Sequence, residues 1–168
     1  GLEDKGAGYI RYAAAEKHNE EKKGGFTPDW LISGPARSFY HGLMKTDLKD
    51  MSDEALGEGF VISQDYIPRY TTVSSLVIEG VNPGEDPANT IMWSAIGYAP
   101  CSYVIPVWVG AGSEIPACLS SKDKALAPAN ELAMELKEVV FPVTRGNGNK
   151  YLDYLTFRRY IMPEVEKP

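Results

Sequence analysis

Apolar positions at helical spacing open the chain. Ile10, Ala13 and Ala14 share one face of a helix predicted over residues 8–23, with the stem of Lys17 beside them. Glu16, Glu20, Glu21, Lys22 and Lys23 fall around the other face, and Gly24-Gly25 ends the helix. Thr27-Pro28-Asp29 then reads as a helix start: Thr27 caps, Pro28 takes the first helical position and Asp29 sits in the positive first turn. Trp30, Leu31 and Ile32 supply its buried side. Gly34-Pro35 interrupts the pattern, and Ala36 to Leu43 predicts a further helical turn or two. From Lys45 to Glu58 the chain is polar and acidic with little periodicity, the pattern of a surface loop.

The texture changes near residue 59. Residues 71–78 are rich in β-branched side chains and predict a strand. Val73, Ser75 and Val77 occupy one face, and Thr72, Ser74, Leu76 and Ile78 the other. Small hydroxyls on an otherwise apolar strand suggest a face that meets something polar. The turn chemistry of Asn82 to Pro87 separates it from a second strand, Thr90 to Ile96, and a third follows over Ser102 to Val109. Three strands with short links are most simply an antiparallel meander. Helical spacing returns over Ala125 to Val139, with Leu132, Leu136 and Val139 or Val140 as its stripe and Pro142 as its stop. A last short helix is predicted over Tyr151 to Tyr160. The order is helical over 1–58, strand-rich over 59–112 and helical over 113–168. That is an α+β class in one domain, an antiparallel sheet with helices on one side.

The 168 residues carry a net charge of −6, without the basic footprint of a nucleic-acid binder. The hydrophobic share of 43% argues against a disordered chain. No apolar run approaches the roughly 18 residues of a membrane span. Residues 1–25 are charged and lack the apolar stretch of a signal peptide. The two cysteines, Cys101 and Cys118, could bridge or stay free. With only two His besides, no zinc site of ordinary spacing is expected, and no cofactor.

Candidate chemistry is sparse. A Cys/His pair would have to join Cys101 or Cys118 to His41, and nothing local supports it. No Gly-x-Ser-x-Gly elbow is present. Gly146-Asn147-Gly148 lacks the Lys-Ser/Thr of a phosphate loop. Asp47, Asp50, Asp53 and Glu54 lack calcium-loop spacing and read as a solvated face. Asp65-Tyr66-Ile67-Pro68-Arg69-Tyr70 is different, because it leads directly into the polar-faced strand. Arg69 there could bind a carboxylate or support a developing negative charge, or it could simply pair with Asp65. Met92, Trp93, Tyr98 and Trp108 would suit either an acyl-chain pocket or a core.

Several stretches taken in order carry a resemblance. They are Gly8 to Tyr12, Pro35 to His41, Asp65 to Thr72, Val77 to Pro87, Thr90 to Trp93, Gly97 to Cys101, Ile105 to Val109 and Leu136 to Glu138. Together they resemble the acyl-coenzyme A:isopenicillin N acyltransferase-like proteins. These are relatives of the choloylglycine hydrolases, described as linear amide C–N hydrolases. The resemblance runs from about Tyr9 to Leu155. It implies an N-terminal-nucleophile (Ntn) hydrolase fold, a four-layer αββα sandwich. An N-terminal Cys exposed by autocatalytic cleavage would attack an amide, with its own α-amine as base.

This chain begins at Gly1, with neither cysteine near a processing site. The expectation is therefore the C-terminal part of such an amidohydrolase or acyltransferase, itself lacking the nucleophile. Its partners would be a small-molecule amide substrate and an N-terminal half, or another chain, that supplies the Cys; oligomer formation stays open. By the resemblance, Arg69 gives electrostatic support to the thiolate or oxyanion. Thr72, Ser74 and Trp93 are the candidates for lining the substrate pocket, and no metal is expected. The resemblance leaves the compartment open, since relatives bearing signal peptides would be exported. Two alternatives stand beside this reading: a non-catalytic binding or structural module that keeps half the fold, and a self-contained cysteine hydrolase using His41.

Overall fold

The computed structural model describes residues 6–121, 123 and 125–166, and Gly1 lies outside them. The first helix, α1 (Gly6–Glu21), packs through Ala14 and starts and stops two residues ahead of the predicted span. Helix α2 (Pro28–Ser33) begins as its sequence dictates: the Thr27 hydroxyl accepts from the Trp30 amide, and Ile32 is buried.

Ala36 to Leu43 is not helical. The chain turns there and forms a two-residue ladder, β1 (Tyr40–His41) against β2 (Thr46–Asp47). A Cβ on Gly42 would lie 2.2 Å from the Ala14 carbonyl oxygen and 2.8 Å from the His18 nitrogen, so only glycine lets this hairpin reach the backbone of α1. The expected loop after it is also structured, with Leu48 buried in a 3-10 turn and a short helix α3 (Asp53–Leu56).

The central meander forms as predicted. Strand β4 (Ser74–Glu79) pairs antiparallel with β5 (Ile91–Ile96), which pairs antiparallel with β6 (Ile105–Trp108). Register places Val77 opposite Trp93 and Ser75 opposite Ala95 on one face, which packs against α2 through Ile32. The opposite face carries Ser74, Leu76 and Ile78 across from Ile96, Ser94 and Met92. Leu76 and Ile78 there are 56% and 71% exposed.

The last third is mixed rather than helical. After α4 (Pro128–Val140), β7 (Val143–Thr144) pairs with β8 (Lys150–Asp153), which also pairs with β3 (Phe60–Val61) in a second antiparallel sheet. Only from α5 (Tyr154–Thr156) is the predicted last helix helical. It continues as a π-helical turn, Phe157–Ile161, into α6 (Met162–Val165). Pro163 has no N–H to give the Arg159 carbonyl, which suits the widened turn before it.

The class is α+β. Its main core is aromatic: Phe39 meets Tyr66, Tyr154 and Phe157 edge-on at 5.7, 5.4 and 5.7 Å between ring centroids. Among the described residues no helix is long and apolar enough to cross a membrane.

Candidate functional site

Among the described residues, two of the concavities hold sequence candidates, Trp93 in one and Arg69 in the other. The larger, about 600 Å³, lies between α2, β5 and the C-terminal helical segment. Ile32, Trp93, Val104, Phe157 and Met162 give it apolar walls, and Arg37 and Glu166 line it with opposite charges. The Trp93 indole N–H donates to Glu79 Oε2 at 2.9 Å across the β4–β5 ladder, which fixes the ring against the wall. Arg37 is 9% exposed. Its Nε donates to the Ala99 carbonyl at 3.1 Å and its Nη2 to the Val165 carbonyl at 3.2 Å. It thereby ties the turn after α2 to the end of β5 and to α6. Burial pulls the guanidinium down from its ordinary value, opposed by nearby Glu166. It is a strut as much as a ligand group.

The smaller concavity, about 290 Å³, holds the sequence candidate Arg69. Pro68 precedes a turn closed by the Thr72 amide on the Arg69 carbonyl at 2.8 Å, and the Arg69 side chain lines the cleft together with Arg11 of α1. Arg69 Nε donates to Thr71 Oγ1 at 2.7 Å. The alternative pairing with Asp65 does not form: no ion pair joins the two. Arg11 lines the same cleft, and its Nη1 donates to the Gln64 carbonyl at 2.6 Å. Sequence reasoning gave Arg11 no role, because 58 positions separate it from Arg69 and no local signal joins them.

The four candidate residues do not converge. Thr72 spends its hydroxyl on the Ile67 carbonyl at 2.8 Å, a local turn contact. Ser74 is exposed on the uncovered face of β4, opposite in facing to Trp93. Arg69 and Trp93 line different concavities.

The cysteine alternative lacks its geometry. Cys101 is 1% exposed in the main core, and burial pushes its thiol up to about 12 despite Arg37 and Lys137 nearby. Cys118 is exposed and both thiols are free. His41 accepts from the Met44 amide at 3.3 Å and packs edge-on to Tyr66, with no bond to either sulfur. The acidic run is not a uniformly solvated face: Asp47 is buried and caps the 3-10 turn through the Lys49 amide, and Asp53 pairs with Arg158 and Arg159. Among the described residues no cluster of His, Cys, Asp and Glu could hold a metal. No protein-family model, curated protein or solved structure matches the chain.

Proposed function

We propose that this chain forms one part of an Ntn amidohydrolase or acyltransferase acting on linear C–N amide bonds, with the nucleophile supplied from outside the described residues. The observation that carries this reading is the unlike pair of faces on the β4–β5–β6 sheet. One face is packed by α2, and the other presents Leu76 and Ile78 to solvent. An αββα sandwich asks for that arrangement, a helix layer outside and a second sheet inside. Cys101, held protonated by burial, does not offer an activated thiol of its own. In this reading Arg69 supports the thiolate or the tetrahedral oxyanion. Ser74 stands on the face where the second sheet would stack. The substrate is a small-molecule amide.

A non-catalytic binding module is the second reading, favoured by the Arg69 cleft, which gathers Arg11, Arg69 and Lys150 with no carboxylate in its lining. The intact mass and N-terminal residue of the native protein from its source cell separate the two. A longer product processed to an N-terminal Cys, hydrolysing N-acyl amides, is the expected result. A native product beginning at or near Gly1 overturns it. So does amide hydrolysis by the chain alone that Cys101→Ala or Cys118→Ala abolishes.

A further inference from the structure

The cleft around Arg69 draws cations from three separate parts of the fold. Arg11 comes from α1, Arg69 from the turn before β4 and Lys150 from the start of β8. No carboxylate lines it. Among the described residues neither Arg11 nor Arg69 makes an ion pair. Two acids lie near. Asp65 acts on Arg11 from a distance, and Glu138 pairs with Lys150 from α4 while accepting from the Tyr70 hydroxyl at 3.3 Å. A fourth cation, Lys137, lies over the Tyr70 ring at 4.2 Å, and Lys150 lies over the same ring at 4.8 Å.

Ser63, 2% exposed, adds a hydroxyl-bearing residue to the lining. Two guanidinia held together without a neutralising acid repel each other, and burial adds to the cost. Both effects pull Arg11 down from its ordinary value, with burial the larger and Arg69 next. An anion between them would oppose the repulsion and offset the cost of burial, accepting paired N–H bonds from planar forks on two sides.

We propose that this cleft binds a small oxyanion, a carboxylate or a phosphate, between the guanidinia of Arg11 and Arg69, with Ser63 and Lys150 completing the cage. The volume, about 290 Å³, is ample for such an anion. The proposal shares Arg69 with the functional reading above, but it rests on binding alone, so the two fail separately.

The test is calorimetric titration of the whole chain with inorganic phosphate and, separately, with acetate, at ionic strength held constant with sodium chloride. One-site binding of at least one probe is expected. Arg11→Gln and Arg69→Gln should each weaken it at least ~10-fold, since each removes charge-assisted bonds. Arg69→Lys, which keeps the charge but not the fork, should fall between. Arg158→Gln, at a cation paired with Asp53 elsewhere, should leave it unchanged. Tighter phosphate binding assigns a phosphoryl ligand, and tighter acetate binding a carboxylate. Because Arg11→Gln also breaks the link to Gln64, urea unfolding is run on each variant and Arg69→Gln carries the decision. No saturable heat with either probe overturns the proposal, as does binding that Arg69→Gln leaves intact.

Discussion

The Tyr98 hydroxyl donates to the Pro68 carbonyl at 2.8 Å inside the main core, joining the end of β5 to the residue before Arg69. Tyr98 is fully buried, and Phe141 packs edge-on to its ring at 5.3 Å. Burial raises its phenol far above the ordinary value, so the group is a neutral donor at any working pH. Tyr98→Phe keeps the ring and leaves the Pro68 carbonyl unpaired, at a cost of roughly 1–3 kcal/mol. Urea unfolding should show the loss as a lower midpoint with an unchanged slope. Because the freed carbonyl sits one residue before Arg69, phosphate or acetate affinity should fall with it. A Tyr98→Phe variant as stable as the parent would remove Tyr98 as the anchor of this turn.

The uncovered sheet face makes a second expectation. Ile78, Met92 and Val107 are cross-strand neighbours on it, as are Leu76, Ser94 and Ile105. The exposure runs along β4, where Leu76 and Ile78 stand bare beside half-buried Met92, Ile105 and Val107 and buried Ser94, and exposed apolar side chains favour association with another surface. Sedimentation of the chain alone should therefore show concentration-dependent self-association. Leu76→Lys combined with Ile78→Lys should abolish it while moving the unfolding midpoint little, since both side chains are already exposed. A monomer at all concentrations would count against a sheet built to be covered.

How much of this was readable beforehand differs by element. The Thr27-Pro28-Asp29 start carries its own hydrogen-bond logic, and α2 begins there. The three meander strands are long enough for β-branched enrichment to show. By contrast β3 and β7 are two residues each, too short for any period, and exist because β8 pairs with both. Tyr151, Leu152 and Leu155 fit helical spacing and strand spacing alike, so the β8 segment read as helix until its partners placed it. Asp47 looks solvated in a run of acids, yet capping buries it. The cleft was half legible: Arg69 stood out by its Pro68 neighbour, while Arg11, Ser63 and Lys150 reach it only through tertiary contacts.

Thiol chemistry should separate the two cysteines. Cys118 is exposed and Cys101 buried, with its thiol raised to about 12. Ellman's reagent at pH 8 should titrate Cys118 rapidly in the native chain and reach Cys101 only with unfolding. Cys118→Ser should remove the fast phase and Cys101→Ser should not. A fast phase that survives Cys118→Ser would mean Cys101 is activated, and would revive the cysteine-hydrolase alternative.

The last expectation concerns acid. His18 on α1 packs edge-on to Trp30 at 5.0 Å and against Tyr40 at 4.5 Å between ring centroids. Burial lowers its pKa below the ordinary 6.5, and the nearby Glu21 and Asp47 carboxylates only partly oppose this. The fold thus holds His18 with fewer protons than the unfolded chain does. Where the unfolded state binds more protons, stability rises with pH. The His18 contribution is therefore complete above about pH 6.5 and is lost as pH falls through that value toward the lower folded one. Urea midpoints measured between pH 7.5 and pH 5.5 should drop more in the parent than in His18→Gln, which has no titrating ring. The two carboxylates are common to both chains, so the difference between the curves isolates the imidazole. Parallel curves, or a parent that gains stability relative to the variant on acidification, would show that the ring is solvated or held by Glu21 rather than kept neutral by Trp30 and Tyr40.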